Sequence, residues 1–463
     1  MAGIRCSSAA SLVASWLRRE TSSSFSLFSL GNDMSLPNIT GRSKVFRRFS
    51  QAQLQPRKEE KVTTPLLEAY ESNPILGLRK SPEFVPAKLP VSLPLLSISS
   101  EAVTIKEDRT SIAVPLLWLR DSCTCEQCVN QGAYQRNSWT LVTDAQIKRA
   151  EVNNGFLHAV WTDGHASHYD LSAIKNHFTA ALPKKSSDKQ VAKFLWDRQR
   201  LGPASVVPIS HDAVFTDSGL GDLLTNIQRF GFGLVDCCPP TEAATEKLVK
   251  RVAPPMPTTF SPGMWTFTSN MERNDTAYSN VYLAPHTDTT YFSNPARIQV
   301  FHCLERDGCT GGENLLVDAF HCADVLQQTD AAAYERLCST AQNCVYMEPD
   351  VCYKWTDVVL TRNTDRKSLQ RVRFNMYDRS TAPPLCAPSE MNAFYRSLRT
   401  FADLTQSAVN QHVLTLTPGL VIFIDNWRVL HGRNAFNGKR VLTGCYMSND
   451  EFEHNCRRFS LIP

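Results

Sequence analysis

The stretch LAPHTDTTYF, Leu283 to Phe292, sets His286 and Asp288 two residues apart, and the stretch FIDNWRVLHGR, Phe423 to Arg433, reaches His431 after an apolar run. On an extended strand residues i and i+2 face the same side, so His286 and Asp288 project together with Thr287 turned away. A third ligand, His431, has to arrive on a distant strand brought alongside. Two imidazoles and one carboxylate on one face leave three open positions of an octahedral metal, the facial triad of non-haem Fe(II) sites. The same residues would also serve as two buried histidines and a solvated aspartate, so the rest of the chain has to decide.

Arg440 follows His431 by nine residues, in KRVLTGCY. An oxygenase that builds on such a triad and consumes 2-oxoglutarate needs a cation for the distal carboxylate of that co-substrate. A guanidinium meets a carboxylate through two parallel hydrogen bonds. Read as a strand, KRVLTGCY aims Arg440 into the same barrel mouth; Arg433, directly after His-Gly, reads as structural. A second constellation lies upstream. WLRDSCTCEQC carries Cys123, Cys125 and Cys128, and WTDGHASHYD offers His165 and His168 some forty residues later. Three thiolates and an imidazole close a tetrahedral, structural Zn(II) site. Spacing leaves both histidines open, and three free thiols in a loop are the plain alternative. A dense cluster inside a small β-rich segment favours metal, because thin cores gain most from such a staple.

These residues need scaffolding, and the chain is long enough to supply it: 463 residues, 42% hydrophobic, with a net charge of +4 from 49 basic and 45 acidic residues. That balance argues against a dedicated nucleic-acid binder. No apolar run reaches the roughly 18–20 residues of a membrane-spanning helix. Fifteen cysteines, an odd number, point to a reducing compartment rather than a disulfide framework. The first fifty residues differ from the rest, with seven Lys/Arg, two acids and twelve Ser. Leu12, Val13, Trp16 and Leu17 fall on one side of a helix whose polar flank carries Arg5, Arg18 and Arg19. This is the composition of a mitochondrial transit peptide, with RRFS at 47–50 as a processing signal, and it predicts delivery to the mitochondrial matrix.

Residues 51–88 read as a linker or arm. Residues 89–182 hold short β-like runs (VSLPLLSI, AVTIK, SIAVPLLWLR, FLHAVWTDG) separated by turn chemistry, a small β-rich domain. The charged stretch LPKKSSDKQ marks a boundary. From 201 to 463 the spacing predicts a helix with Leu220, Leu223, Leu224, Ile227 and Phe230 on one face, a strand in GFGLVDC, and a helix N-capped by Thr241. Strands are then expected in VYLAPHTD, ARIQVFHCLE, NLLVDAF, RVRFNMY, VLTLTPGLVIFID and RVLTGCYMS. Two helices interrupt them, HCADVLQQTDAAAYERLCS and SEMNAFYRSLRTFADLTQ. The expected fold is mainly β: a double-stranded β-helix (jelly roll) with inserted helices, preceded by a small β-rich zinc-binding domain.

Together, WLRDSCTCEQC, WTDGH, HTDTTYF, GGENLLVD and FIDNWRVLHGR make the chain, over about 90–463, resemble the γ-butyrobetaine/trimethyllysine dioxygenases, a family of 2-oxoglutarate- and Fe(II)-dependent oxygenases. The resemblance implies that His286, Asp288 and His431 hold Fe(II) and that Arg440 anchors 2-oxoglutarate. It implies that Cys123, Cys125, Cys128 and His165 hold zinc, with His165 preferred to His168. It also implies that Trp265, Tyr278 and Tyr446 surround a trimethylammonium substrate, for which aromatic faces are the natural partner. O₂ as oxidant, ascorbate as reductant and a homodimer follow in the same way. HTDTTYF and IDNWRVLHGR, joined to an import peptide, look most like the branch that hydroxylates trimethyllysine at C3, the first step toward carnitine; the γ-butyrobetaine branch is the second choice, and a non-enzymatic zinc-binding scaffold the rival of another class. SPGMW at 261–265 lacks an aromatic expected just before the Trp, and Met376 stands where a second Asn is usual; both bear on the substrate pocket.

Overall fold

The computed structural model describes residues 94–107, 110–178, 191–202, 206–259, 261–268, 279–365, 367–382 and 387–462, all within one compact unit. The expected transit peptide and arm, and Tyr278 of the expected cage, lie outside the described residues.

The first part is β-rich, as expected. Strands β1 (Leu95–Ile98), β2 (Ala102–Glu107) and β3 (Thr110–Pro115) form an antiparallel sheet. SIAVPLLWLR is only half a strand. Pro115 has no N–H to continue the ladder, and the chain turns into helix α1 (Leu116–Asp121), which buries Leu116 and Leu119. A short hairpin, β4 (Val129–Asn130) and β5 (Gln135–Arg136), precedes a second sheet of β6 (Ile147–Asn153), β7 (Phe156–Trp161) and β8 (Ala166–Asp170), closed by α2 (Leu171–Phe178). Val103, Ile105, Leu119, Leu157 and Trp161 make its core.

After α3 (Arg198–Leu201), β9 (Ile209–Ser210) and α4 (His211–Val214) comes α5 (Asp217–Phe230), on the predicted apolar spacing. Strand β10 (Phe232–Asp236) follows, then α6 (Glu242–Val252), capped by Thr241, whose side chain accepts from the Ala244 N–H. The remaining strands are β11 (Met264–Thr268), β12 (Leu283–His286), β13 (Ile298–Gly311), β14 (Asn314–Asp318), β15 (Ala341–Glu348), β16 (Val351–Val358), β17 (Leu360–Arg362), β18 (Leu369–Val372), β19 (His412–Leu414), β20 (Val421–Asp425), β21 (Val429–Arg433) and β22 (Phe436–Met447). Among them lie α7 (Ala319–Thr329), α8 (Ala331–Ser339) and α9 (Pro388–Gln406), and α10 (Asn449–Arg458) follows β22.

Two sheets organise this region, a six-stranded one ordered β11-β22-β13-β20-β10-β9 and a four-stranded one ordered β12-β21-β14-β19, an arrangement consistent with a jelly roll. Burial on both faces explains why β20 reads as unbroken apolar sequence. Ile422 and Ile424 face a core shared by the two sheets, while Val421 and Phe423 pack with the helical residues Leu220, Leu248 and Phe452. On the far side of the smaller sheet, Val317 and Leu430 meet Phe320, Leu337, Phe394 and Phe401 of α7, α8 and α9.

Two further expectations need correction. HCADVLQQTDAAAYERLCS is two helices, because Asp330 ends α7 and caps α8 by accepting from the Ala333 N–H. RVRFNMY is not a strand beyond Val372. Arg373 is buried, and its guanidinium donates to the main-chain carbonyls of Thr290, Phe292 and Ser293, pulling the chain away from a ladder. One buried pair ties the layers. The Arg428 guanidinium reaches the Asp318 carboxylate (Nη2–Oδ2 2.7 Å) and the carbonyls of Phe194, Gln228 and Arg229. Asp318 in turn accepts from the N–H groups of Trp196, Phe320 and His321.

Candidate metal centres and active site

β12 and β21 are antiparallel neighbours, and in their register His286 stands directly opposite His431. The two rings lie 4.8 Å apart, centroid to centroid. Asp288 joins them by a route the strand argument missed. β12 ends at His286, so Asp288 projects from the loop beyond it, immediately before Thr289 with φ 57°. Its Oδ1 lies 3.2 Å from His286 Nε2 and its Oδ2 3.5 Å from His431 Nε2. Adjacent ligands of an octahedral ion at 2.0–2.1 Å stand roughly 3 Å apart, close to both of these distances, and all three donor atoms lie within 4.8 Å of one another. His286 Nδ1 is bonded to the Ala284 carbonyl at 2.8 Å, which leaves Nε2 as the lone pair facing inward.

The three groups set one another's charge. Burial alone would raise the Asp288 pKa; the charge of His431 and the hydrogen bonds from His286 and His431 outweigh it and hold the carboxyl well below the usual range. Burial pulls His286 down, but its hydrogen bond to Asp288 and that carboxylate's charge bring it above its ordinary value. For His431 burial prevails and the pKa is lowered. A divalent cation would take over the neutralising role that the imidazoles play toward Asp288.

The triad lies on the wall of a cavity of about 880 Å³, open mouth included. Arg440, on β22, lines it and is 4% exposed. Its Nη2 donates to Asn314 Oδ1 at 2.8 Å, its Nε has no partner, and no carboxylate pairs with it among the described residues. A buried guanidinium without an acid is a vacancy for an anion, so the residues fit the distal carboxylate of 2-oxoglutarate. Arg433 also borders the cavity, but its guanidinium is bonded to the main-chain carbonyl of Ser279, in keeping with a structural role.

Trp265 and Tyr446 line the same cavity from neighbouring strands, with ring centroids 6.3 Å apart. Trp265 fits because Gly444 stands opposite it: a Cβ there would lie 2.3 Å from the indole and 2.0 Å from the Val300 carbonyl. Tyr446 has a second engagement, donating its hydroxyl to Asp288 Oδ2 at 2.9 Å. The reading of the sequence missed Asn314, Tyr291 and Tyr346, all of which line the cavity; the last two stack at 5.0 Å. Asn314 and Tyr291 sit inside quoted motifs without an assigned role. Tyr346 lies on a hairpin that was not foreseen, although the alternation of AQNCVYME and the Pro-Asp turn after it carried the signal.

In the β-rich part, His165 Nε2 lies 3.3, 3.7 and 3.6 Å from the sulfurs of Cys123, Cys125 and Cys128. A tetrahedral Zn(II) with its usual bond lengths sets sulfur and nitrogen about 3.6 Å apart. His168 is turned away, pairing with His158 Nδ1 to Nδ1 at 2.6 Å. Gln127 Oε1 sits 3.2 Å from His165 Nδ1, the outer partner such a ligand needs. Burial pushes the Cys123 thiol up to about 11. The described cysteines are all free thiols.

A convergent His-Asp-His set thus lies between two sheets, beside an arginine that no carboxylate pairs among the described residues. Residues 197–446 match the family described as taurine catabolism dioxygenase TauD, TfdA family, and residues 96–175 match gamma-butyrobetaine hydroxylase-like, N-terminal. The chain belongs to the TauD, TfdA family and is a 2-oxoglutarate-dependent dioxygenase that uses Fe(II). Within that family it stands with the trimethyllysine dioxygenases. It is 36% identical over 354 residues to the mitochondrial trimethyllysine dioxygenase of Mus musculus, covering 74% of this chain and 82% of that one. It is 35% identical over 367 residues to that of Homo sapiens (77% and 85%) and 29% identical over 465 residues to the trimethyllysine dioxygenase of Neurospora crassa (90% and 95%). The non-enzymatic scaffold is thereby set aside.

Proposed function

We propose that the protein hydroxylates N6,N6,N6-trimethyl-lysine at C3, consuming 2-oxoglutarate and O₂, as the first step of carnitine biosynthesis. The observation that carries this reading is the meeting, in one cavity, of the His286–Asp288–His431 set, the unpaired Arg440 and an aromatic wall. In this reading His286, Asp288 and His431 hold Fe(II). Bound there with 2-oxoglutarate, the ion supplies oxidation of an unactivated C–H bond coupled to decarboxylation of the co-substrate. Arg440 takes the distal carboxylate, and Asn314 holds the guanidinium in place for it.

A quaternary ammonium has no N–H to donate, so it gains from aromatic faces, each worth about 0.5–2 kcal/mol. Trp265 and Tyr446 supply two such faces, and Tyr291 and Tyr346 line the cavity as well. Ser261 of SPGMW is buried on the cavity wall. The cage orients the chain of the substrate so that C3 meets the metal; a misplacement of about 1 Å lowers the rate on the order of 100-fold. Cys123, Cys125, Cys128 and His165 hold a structural zinc. The mitochondrial names of the animal relatives, together with the basic, Ser-rich start of the chain, support import into the matrix.

The test is a side-by-side turnover assay with trimethyllysine and γ-butyrobetaine. Hydroxylated trimethyllysine and succinate are expected in equal amounts, with γ-butyrobetaine a poor substrate. Preference for γ-butyrobetaine would overturn the assignment.

A further inference from the structure

His286 and His431 are aimed by paired strands, but Asp288 is not: it lies past the end of β12, next to a residue in the left-handed region. Distant side chains hold it instead. Asn426, 1% exposed, accepts the Asp288 N–H at 2.8 Å and donates to the Asp288 carbonyl at 3.0 Å and the Ala296 carbonyl at 2.9 Å. That fork fixes the main chain and does not touch the carboxylate. Apart from the two imidazoles, with His286 Nε2 3.2 Å from Oδ1 and His431 Nε2 3.5 Å from Oδ2, the carboxylate's contact is the Tyr446 hydroxyl, 2.9 Å from Oδ2.

We propose that Tyr446 is a positioning residue for the metal centre. Its hydroxyl sets the rotation of the Asp288 carboxylate so that one oxygen is kept for the ion. This rests on the reading of His286, Asp288 and His431 as the iron ligands. A hydroxyl donated to a carboxylate is a charge-assisted bond, stronger than a neutral one. Partners of this kind, one step out from a metal, are worth about 10–100-fold in metal affinity. The ring of Tyr446 also borders the cavity beside Trp265, so one side chain touches both the substrate space and a metal ligand. No other candidate cage aromatic is bonded to Asp288 among the described residues.

Tyr446→Phe separates the two roles, because it keeps the ring and removes only the hydroxyl. The probe is Mn(II), a hard ion that prefers nitrogen and oxygen donors to the thiolates of the other site, titrated into the full-length protein with 2-oxoglutarate and followed by electron paramagnetic resonance. The dissociation constant of Mn(II) is expected to rise about 10–100-fold. Calorimetry at saturating Mn(II) is expected to show trimethyllysine binding within about twofold of wild type, since the aromatic face remains. An unchanged Mn(II) constant overturns the proposal, as does a loss confined to trimethyllysine binding. If wild-type protein binds no Mn(II) at this site, the iron reading itself fails and takes the proposal with it. If wild type binds and Tyr446→Phe binds equally, only the proposal fails.

Discussion

Taking a carboxylate out of water favours its protonated form, and Asp288 escapes that chiefly through its two imidazole neighbours. Arg440 faces the opposite problem, a guanidinium taken out of water without an acid, and its pKa is lowered chiefly by that burial. Arg440→Lys is expected to raise KM for 2-oxoglutarate by roughly 10-fold or more, because an ammonium cannot reproduce the fork. Steady-state kinetics with varied co-substrate check this, and KM for trimethyllysine should stay put. A second buried group acts on stability. His302, bonded to Thr245 Oγ1 at 2.7 Å, has its pKa pushed down to about 4 by burial and by His211. The unfolded chain binds that proton near pH 6.5, so stability present above 6.5 is lost as pH falls toward 4, on the order of 2 kcal/mol between pH 7 and pH 5. Denaturant melts at the two pH values should show it, and His302→Asn should flatten the difference. At this scale His286, Asp288 and His431 were legible as donor types, while the strand argument for the H-x-D spacing failed because β12 ends at His286. Tyr446 was legible as an aromatic, but its bond to Asp288 was not, since nothing local links residues 158 apart.

The elements matter through how closely they approach. At Gly432 an added Cβ would lie 2.5 Å from the Leu283 carbonyl and 2.8 Å from Pro285 N, so β12 and β21 come together only because this residue is glycine. Gly432→Ala is expected to push the strand bearing His286 away from His431. Mn(II) affinity should fall at least about 10-fold, as for other displacements of metal ligands, and the same titration measures it. Helix α5 and the cap of α6 were legible because periodicity and capping are written in neighbouring residues. RVRFNMY misled because its apolar alternation was overruled by Arg373 reaching carbonyls some eighty residues away. The hairpin of β15 and β16 carried an ordinary strand pattern and was passed over in favour of the stronger runs around it.

For the whole molecule, the two metal constellations make separable claims. Among the described residues, none that lines the cavity precedes Ser261. On the proposed zinc reading, removing that ion with a strong chelator, or the change Cys125→Ser, is therefore expected to expose the segment 94–178 to protease while leaving Mn(II) binding in the cavity at its wild-type value. Limited proteolysis followed by mass spectrometry reads the first effect. Loss of cavity binding together with the zinc would show that the two parts depend on each other. The two-sheet architecture was legible from the number and spacing of strands, but which strands neighbour one another was not, since that is settled by packing over the whole chain.

Arg428 sits three positions before His431, and its guanidinium and Asp318 are sealed from solvent. Breaking such a pair costs about 3–5 kcal/mol, enough to empty the cell of usable protein. A selection scored only on product formation would thus return Arg428 and Asp318 among its dead clones and tempt a reader to place them in the chemistry. The tell is in the soluble fraction: these clones should yield little protein at all, whereas a clone altered at Asp288 should yield plenty that does nothing.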